Sequence, residues 1–308
     1  MCTALHAHGC FGRTLDLEHT YAEQVVLTPR DFPFAWRHLP ATKEHYAILG
    51  MAMVVDGYPL YYDGVNACGL AMAGLRFPHS CAYVAAREGD VASFELIPYV
   101  LGRCATVDEA KTALAQVRIG DTAFSDAYPP SPLHWMVADE RKSIVVEATA
   151  EGVQVYDNPV GVLTNEPPFP DQLRHLDDFA HLTADEPSEP PPHLGRGSGA
   201  IGLPGDFSSP SRFVRAAFVA AHSEGDHNPV GQFFRAMATV EVPRGCLRLP
   251  DGKSVISQYT ACMDLTNKIY YYRTYDCPRI QAVRMTEAAG DALVRYPLPT
   301  YDYRGEIN

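Results

Sequence analysis

The chain begins with MCTALHAHGCFGRTLDLEHTY (residues 1–21), in which a cysteine directly follows the initiator methionine. Cys2 is small, and methionine removal of the bacterial type tolerates small residues at this position. After removal of Met1, Cys2 would carry a thiol that ordinarily titrates at about pH 8.5 and a free α-amine that titrates at about pH 8. The amine can act as the base for its own side chain, so one residue would supply both a nucleophile and a general base.

The stretch FGRTLD (11–16) adds a pair of charges to this start. An arginine beside a thiol favours the thiolate by direct charge attraction. An aspartate close by can hold the α-amine through a hydrogen bond. Met-Cys alone is more often an arbitrary small residue after the initiator, and an Arg–Asp pair is more often a surface ion pair. Together, Arg13 and Asp16 favour a cysteine nucleophile whose thiolate and α-amine are stabilised by nearby charges. They make an arbitrary residue at position 2 and a surface ion pair the weaker interpretations.

Length and composition are those of an ordinary globular protein. The 308 residues are 46% hydrophobic and 20% charged, which is enough to bury a sizeable core. No repeat or convincing boundary divides the chain, so we expect one domain over residues 1–308. The formal net charge is -12 without a Lys/Arg-rich run, which argues against a nucleic-acid partner. No apolar stretch approaches the length of a membrane span and no secretory signal pattern is visible, so we expect a cytoplasmic protein.

The cysteines and histidines do not follow metal-binding spacing. Eight cysteines are scattered irregularly without a C-x-x-C pair, which favours buried free thiols over disulfides or a zinc ribbon. His6 and His8 would share one face of a strand, but no third ligand follows by spacing. We expect neither a metal nor a cofactor.

Strand patterns dominate the chain. Asp56-Gly57 and Asp63-Gly64 interrupt apolar runs and favour hairpin turns. Further along, alternating or aromatic-rich segments separated by turn residues predict two more groups of strands. Their expected positions are 133–138, 143–149, 152–156, 161–164, 256–264, 268–275 and 279–285.

Helices are fewer. Thr106 opens a Thr-x-x-Glu capping box, Ser208-Ser209-Pro210 gives an N-cap with proline in the first turn, and a third helix starts at Pro229. The segment FELIPYVLGRC (94–104) is a further candidate, which Pro98 should end or kink early. Strand groups flanked by helices predict an α+β fold with two stacked, mostly antiparallel sheets and helices outside. Residues 183–199, rich in Pro, Gly and Ser, read as a surface loop or an arm between subunits.

Several ordered motifs resemble one known family. They are MCT (1–3), FGRTLD (11–16), LTPR (27–30), LHWMVAD (133–139), GVLTNEPPF (161–169), GLPGDFSSPSRFVRAAF (202–218) and QYTACMDL (258–265). This set resembles the choloylglycine hydrolase family, whose members are N-terminal-nucleophile (Ntn) hydrolases with a four-layer αββα sandwich. The resemblance implies that Cys2 is the nucleophile, flanked by Arg13 and Asp16. It also implies that Asn165 donates to the oxyanion and that Arg212 is the second arginine of the site.

Arg76 departs from the family pattern. Bile salt hydrolases usually carry asparagine in the stretch that matches AGLRFP (73–78), and penicillin acylases often carry tyrosine. Arginine is longer and always charged. Its side chain could point away, leaving the oxyanion to Asn165 and a main-chain N–H, or it could pair with an anionic end of the substrate. The resemblance further places five residues in pocket-lining stretches, although each could equally be an ordinary core residue: Leu15, Val55, Tyr62, Tyr128 and Leu133.

The resemblance implies hydrolysis of the amide bond in glycine- or taurine-conjugated bile acids through a thioester on Cys2. It suggests a bile salt hydrolase of a gut bacterium that assembles as a homotetramer through the 183–199 arm. Penicillin V acylase and hydrolysis of acyl-homoserine lactones are alternatives with the same chemistry. A non-catalytic ligand-binding protein is a more remote alternative.

Overall fold

The structure is a computed structural model that describes residues 1–189, 192–286 and 290–299. The strands are β1 Cys2–Ala7, β2 Cys10–Leu17, β3 Gln24–Thr28, β4 Ile48–Val55, β5 Tyr58–Asn66, β6 Ala71–Arg76, β7 Val91–Ala92, β8 Ile119–Gly120, β9 Leu133–Ala138, β10 Ser143–Thr149, β11 Gly152–Asp157, β12 Val162–Leu163, β13 Ile256–Asp264, β14 Ile269–Thr274, β15 Gln281–Arg284 and β16 Val294–Pro297. The helices are α1 Leu96–Arg103, α2 Val107–Leu114, α3 Phe169–Asp177, α4 Ser209–His222 and α5 Pro229–Ala238.

Two antiparallel sheets form the centre of the molecule. One has six strands in the order β12-β1-β2-β13-β14-β15, and the other has eight in the order β11-β10-β9-β6-β5-β4-β3-β16. Helix α1 packs on β4, β5 and β6, and α2 packs on β9, β10 and β11. On the other side, α4 contacts β1 and β12 while α5 contacts β2 and β13. This arrangement confirms the expected αββα sandwich.

Two buried hydrophobic clusters hold these layers together. The first joins the two sheets to helices α3, α4 and α5, with Phe11, Met136 and Phe213 among its fully buried members. The second fills the space between the eight-stranded sheet and helices α1 and α2, around Trp135 and Leu96. The amphipathic helices therefore bury one face each against a sheet, as the hydrophobic effect requires.

The hairpin of β1 and β2 fixes the start of the chain inside this core. His8 and Gly9 form a two-residue turn with φ values of 55° and 70°, which is the left-handed pair of a type I′ turn. The resulting register places Cys2 opposite Leu15 and Ala4 opposite Arg13. Because side chains alternate along a strand, the side chains of Cys2 and Arg13 lie on the same face of the sheet.

Most predicted strands and the first Asp-Gly turn are confirmed. Asp56-Gly57 joins β4 to β5, and the strands predicted at 133–138, 143–149 and 256–264 are observed with those bounds. The turn expected at Asp63-Gly64 is wrong, because both residues lie inside β5. Asp63 instead follows a bulge at Tyr62, where the register between β4 and β5 shifts.

The helix predictions are confirmed with two corrections. Thr106 Oγ1 accepts from the Glu109 nitrogen at 3.2 Å as a cap, although the Glu109 carboxylate takes the nitrogen of Ala105 rather than that of Thr106. Pro98 does not end α1 early, because it lies in the first turn, where its missing N–H leaves no intrahelical hydrogen bond unmade. Helices α4 and α5 begin where expected, at Ser209 and Pro229.

At the base of the segment 183–199, the Thr183 nitrogen donates to the Gly199 carbonyl at 3.2 Å. The segment's described residues are mostly exposed, and Leu194 is 43% exposed. Within the part of the chain that the structure describes, no helix has both the length and the apolar character needed to cross a membrane.

Candidate active site

Cys2 is buried at the start of β1 and meets an arginine from the neighbouring strand. Its side chain and backbone are only 3% exposed. The Cys2 Sγ accepts a hydrogen bond from Nη2 of Arg13, itself 1% exposed. A guanidinium in contact with a sulfur favours the thiolate over the thiol. The site therefore has a cysteine placed for nucleophilic chemistry.

Arg13 is fixed by main-chain carbonyls where two strands of the opposite sheet separate. The pairing of β5 and β6 stops at Asp63 and Ala73. Beyond that point, Nη1 of Arg13 donates to the carbonyls of Tyr62 at 3.3 Å and Gly74 at 2.5 Å. Burial by itself would lower the pKa of Arg13, but the acidic groups around it outweigh this effect and raise the pKa; they are Cys2, Tyr259, Asp63 and Asp16. The guanidinium therefore stays charged in the interior.

Asp16 is fully buried, but its carboxylate bonds to hydroxyl groups. Ser257 Oγ donates to Oδ1 at 2.6 Å, and Thr14 Oγ1 donates to Oδ2 at 3.1 Å. Met1 is still attached, and its amine and carbonyl bond the Asp16 backbone at 2.6 and 2.9 Å. Asp16 is thus adjacent to the N-terminus on the opposite face of β2 from Arg13. Its expected bond to a free α-amine of Cys2 stays a prediction for the form without Met1.

Asn165 follows β12 and bridges Cys2 to β6. Its Oδ1 accepts from the Cys2 nitrogen at 3.0 Å, a nitrogen that here belongs to the Met1–Cys2 peptide bond. Its Nδ2 donates to the Arg76 carbonyl at 2.8 Å. The backbone of Asn165 is held as well, since Ser209 Oγ accepts from its nitrogen at 2.8 Å and Gln172 Nε2 donates to its carbonyl at 2.6 Å. An amide nitrogen has two hydrogens, so one is left to donate to a reacting atom.

Arg212 reaches the same centre from α4. Its Nη1 donates to the Cys2 carbonyl at 2.5 Å and to Thr3 Oγ1 at 2.6 Å, while Nη2 donates to Asn165 Oδ1 at 2.7 Å. The side chain is fully buried, and this burial lowers the pKa of its guanidinium. The negative charges of Asp16 and Cys2 act in the other direction and offset only part of that effect. Because two of its hydrogen bonds go to the Cys2 carbonyl and to Asn165 Oδ1, Arg212 positions these two residues relative to each other.

Arg76 lies at the end of β6 with its side chain exposed. Its carbonyl is the acceptor for Asn165 Nδ2. Among the described residues, no hydrogen bond or ion pair holds its guanidinium. Phe77 donates to the Pro132 carbonyl, so in the alternating antiparallel pattern Arg76 and its partner Leu133 form a non-hydrogen-bonded pair. The Arg76 N–H therefore faces away from β9.

Four of the five proposed pocket residues lie near this centre. Leu15 is the cross-strand partner of Cys2, and Leu133 is that of Arg76. Tyr62 offers its carbonyl to Arg13, and Tyr128 is close enough to contribute to the raised pKa of the Tyr62 hydroxyl, which burial chiefly causes. Val55 lies at the hairpin end of β4, paired with Tyr58, and belongs to neither buried cluster.

No group of three or more His, Cys, Asp or Glu side chains within residues 1–189, 192–286 and 290–299 is arranged to hold a metal ion. The shared strand face expected for His6 and His8 is wrong, because His8 lies in the turn after β1 with a φ of 55°. His8 instead lies within 2.9 Å of Ser223 Oγ through its Nε2.

Sequence reasoning missed the residues that support the site rather than form it. Thr3, Ser209 and Ser257 are small hydroxyl residues whose partners lie far away in the chain, and no local spacing signals them. Asp63 does carry a local signal, but an Asp-Gly step predicts an exposed turn and not a buried carboxylate. The aromatic and apolar residues before Asp63, YPLYY (58–62), could have indicated that the strand continues through it.

Comparison with known proteins gives consistent matches over the whole chain. The family model described as linear amide C–N hydrolases, choloylglycine hydrolase family, matches residues 2–293. A bile salt hydrolase/transferase of Lactiplantibacillus plantarum is 41% identical, with 97% of this chain and 97% of the relative covered. One from Clostridium perfringens is 36% identical, with 100% of this chain and 98% of the relative covered.

Solved structures give the same result. A mutant of the conjugated bile acid hydrolase from Clostridium perfringens superposes with a TM-score of 0.94 at 34% identity, with both chains fully covered. A penicillin V acylase from Agrobacterium tumefaciens superposes with a TM-score of 0.76 at 21% identity, covering 98% of this chain and 94% of that one. The second match is evidence for a shared fold alone.

Proposed function

The chain belongs to the choloylglycine hydrolase family of linear amide C–N hydrolases, and from this premise we propose that it cleaves conjugated bile acids through a thioester on Cys2. Relatives between 34% and 41% identical over most of the chain carry the names bile salt hydrolase/transferase or conjugated bile acid hydrolase. The chain is therefore an amide hydrolase, and bile salts conjugated to glycine or taurine are its proposed substrates.

The observation that carries the mechanism is the convergence of three side chains on three different atoms of Cys2. Arg13 bonds the sulfur, Asn165 the nitrogen and Arg212 the carbonyl oxygen. Such an arrangement fixes the orientation of the residue while leaving the sulfur to react. Preorganised positioning of this kind is a large part of the advantage of an enzyme over solution.

In the proposed reaction, removal of Met1 frees the Cys2 α-amine, which takes the thiol proton. The thiolate attacks the amide carbonyl, and the second hydrogen of Asn165 Nδ2 and the N–H of Arg76 donate to the developing oxyanion. Collapse of the tetrahedral intermediate breaks the C–N bond, and the protonated α-amine gives its proton to the leaving amine. Water then attacks the thioester with the same amine as base, which releases the bile acid and restores the thiol.

Arg76 supplies the proposed contact with the charged end of the substrate. Its guanidinium is exposed and unpaired among the described residues, and its backbone is joined to Asn165. The amino acid released by hydrolysis bears a carboxylate or sulfonate a few bonds from the scissile amide. A guanidinium at this edge can bind either group through two hydrogen bonds. The net charge of -12 would otherwise repel such an anion.

The proposed pocket for the steroid is formed by Leu15, Tyr62, Tyr128 and Leu133, with Val55 at its outer edge. Leu15 is the cross-strand partner of Cys2 in one sheet, and Leu133 is that of Arg76 in the other. Apolar and aromatic walls with a few placed polar groups suit a rigid, amphipathic ligand.

Assays on glycocholate, taurocholate, penicillin V and an acyl-homoserine lactone test this proposal. We expect release of glycine and taurine by the wild type, with little turnover of the other two, and no comparable activity for Cys2→Ser. Intact-mass measurement should show loss of Met1. Absence of bile salt hydrolysis in the wild type contradicts the substrate, and equal activity of Cys2→Ser contradicts the mechanism.

A homotetramer assembled through the 183–199 arm is the proposed quaternary structure, as the family resemblance implies. The arm is closed at its base by the Thr183–Gly199 hydrogen bond and exposes Leu194, and Ile201, two residues after the arm, is 56% exposed. Exposed aliphatic side chains suit contact with another subunit. Light scattering of the intact protein and of a variant lacking the arm tests this. We expect a tetramer that dissociates without the arm, and an intact monomer would refute the proposal.

A further inference from the structure

A buried carboxylate behind the cysteine joins the two sheets. Asp63 on β5 is fully buried, and both its oxygens accept from tyrosines of the other sheet. The Tyr259 hydroxyl on β13 donates to Oδ2, and the Tyr270 hydroxyl on β14 donates to Oδ1, each at 2.6 Å. Both tyrosines are also buried. Short bonds to both oxygens of a carboxylate are the arrangement that stabilises its charged form in the interior.

The bulge at Tyr62 turns Asp63 toward the other sheet. Across the bulge Ala52 pairs with Tyr61, and both belong to the cluster beneath α1 and α2. On its other side Met51 pairs with Asp63, and Met51 belongs to the cluster between the sheets. A regular strand would put Tyr61 and Asp63 on one face, because side chains alternate with a period of two. The extra residue, Tyr62, puts Tyr61 and Asp63 on opposite faces of the sheet. The Asp63 carboxylate therefore points toward β13 and β14.

Arg13 joins the Cys2 sulfur to the backbone beside this carboxylate, because it also bonds the carbonyl of Tyr62, the residue before Asp63. Its hydrogen bonds go to the Cys2 sulfur and to the carbonyls of Thr14, Tyr62 and Gly74. None of the described ion pairs includes it. Apart from the sulfur, its partners are neutral carbonyls, and a buried guanidinium is stabilised by a negative charge nearby. Burial raises the pKa of Asp63, and the positive charge of Arg13 opposes that rise; in return, the charge of Asp63 raises the pKa of Arg13.

We propose that Asp63 is a positioning residue that acts through Arg13, offsetting part of the guanidinium charge and so setting how strongly the Cys2 thiolate is stabilised. The proposal rests on Cys2 as the nucleophile. Two buried guanidinium groups, Arg13 and Arg212, face this cysteine, and a thiolate that is stabilised too strongly is a weaker nucleophile. Asp63 opposes that effect without a hydrogen bond to the sulfur, and the hydrogen bonds from Tyr259 and Tyr270 favour its charged form against the rise in its pKa that burial causes.

Other charged and titratable groups also act on Asp63, Arg13 and the Cys2 sulfur. The titratable and charged side chains that face Asp63, Arg13 or the sulfur from the surrounding elements are Arg13 and Asp16 on β2, Tyr62 on β5, Glu23 before β3, Tyr259 on β13, Tyr270 on β14 and Arg212 on α4. The α-amine of mature Cys2 joins them. The test therefore changes Asp63 alone and leaves these groups in place.

The pH dependence of Cys2 alkylation by iodoacetamide tests the proposal, with the modified N-terminal peptide quantified by mass spectrometry. In Asp63→Asn, which keeps the side-chain shape, the midpoint should move to lower pH by about half a unit or more, because the charge that opposes Arg13 is gone. Tyr271→Phe is the matched control, since Tyr271 alternates with Tyr270 on β14 and faces the other side. Its midpoint should equal that of the wild type.

Two further variants keep the test decisive if Asp63→Asn does not fold. Tyr259→Phe and Tyr270→Phe each remove one donor from the carboxylate, which then takes up a proton more easily. Each should move the midpoint in the same direction as Asp63→Asn, by less. An unchanged or raised midpoint in folded Asp63→Asn overturns the proposal, as does an unchanged midpoint in both tyrosine variants. Alkylation needs no substrate, so failure of the bile acid assays would leave this test intact.

Discussion

The guanidinium of Arg212 donates from Nη1 to the main-chain carbonyl of Cys2 at 2.5 Å, although 210 positions separate the two residues in the chain. The same group donates from Nη2 to Asn165 Oδ1 at 2.7 Å. One rigid side chain from α4 therefore sets the distance between Cys2, the proposed nucleophile on β1, and the amide of Asn165 after β12. A planar fork with fixed geometry can do this, whereas a single ammonium cannot bond all the acceptors at once.

Arg212→Lys should therefore lower kcat/KM by about 10²-fold, because about two charge-assisted hydrogen bonds of 1.5 kcal/mol or more are lost. Arg215→Lys is the control: Arg215 lies one turn further along α4, is also buried, and bonds the carbonyls of Pro204, Asp206 and Thr239 away from Cys2. It should lose stability with kcat/KM nearly unchanged. Equal losses of activity in the two variants would contradict a specific role for Arg212.

Asn165→Ala should reduce kcat by roughly 10²- to 10³-fold, as expected for removal of one oxyanion donor. Asn165→Asp separates this role from packing, since it keeps an acceptor for the Cys2 nitrogen and Arg212 but lacks the donor. It should lose kcat at least as strongly as the alanine variant, and its negative charge would repel an oxyanion. Steady-state kinetics on glycocholate measures both, and wild-type kcat in Asn165→Asp would refute the donor role.

Arg76→Ala should raise KM for glycocholate and taurocholate by about two- to fivefold, the size expected of one solvent-exposed charge pair. A neutral cholyl amide without a terminal anion is the control substrate, and its KM should not change. A loss of kcat/KM well beyond tenfold on the neutral amide would instead place the Arg76 side chain in the chemical step. No change on any substrate would remove Arg76 from both roles.

Asp206 should make the start of α4 sensitive to acid. Hydrogen bonds from Ser208 and Ser211 lower the pKa of Asp206 from its ordinary value of 3.8 to about 2. A lowered pKa in the folded state means stability that is present above about pH 4 and lost as the pH falls through 2.

Thermal melts of Asp206→Asn against the wild type check this sign. The variant should have the lower Tm at pH 6, and the difference should shrink toward pH 2. Asp226→Asn, at an exposed position between α4 and α5, should match the wild type at both pH values. A difference in Tm between Asp206→Asn and the wild type that stays constant with pH would contradict a stabilising role for the ionised Asp206 carboxylate.

Much of the fold could be predicted from local patterns. The strands at 133–138, 143–149 and 256–264 are short, mostly apolar runs that end at turn residues, so run length and turn chemistry agree. Pro98 was misjudged because a proline is harmful or harmless to a helix depending on where the helix starts, and α1 starts only two residues earlier. Asp63-Gly64 was misjudged because turn propensity describes an exposed pair, and this aspartate has buried partners in another sheet.

The sequence by itself determined the layered α+β fold, the cysteine directly after Met1, and the motif residues Arg13, Asp16, Asn165 and Arg212. Only the tertiary structure decided how these groups are connected: Arg13 inserted between β5 and β6, Arg212 bonded to a carbonyl 210 positions away, and Asp63 facing two tyrosines. The physical reason is that periodicity and capping act over a few residues. The electrostatic balance around a buried thiol depends instead on which distant groups the packed sheets bring within hydrogen-bond distance.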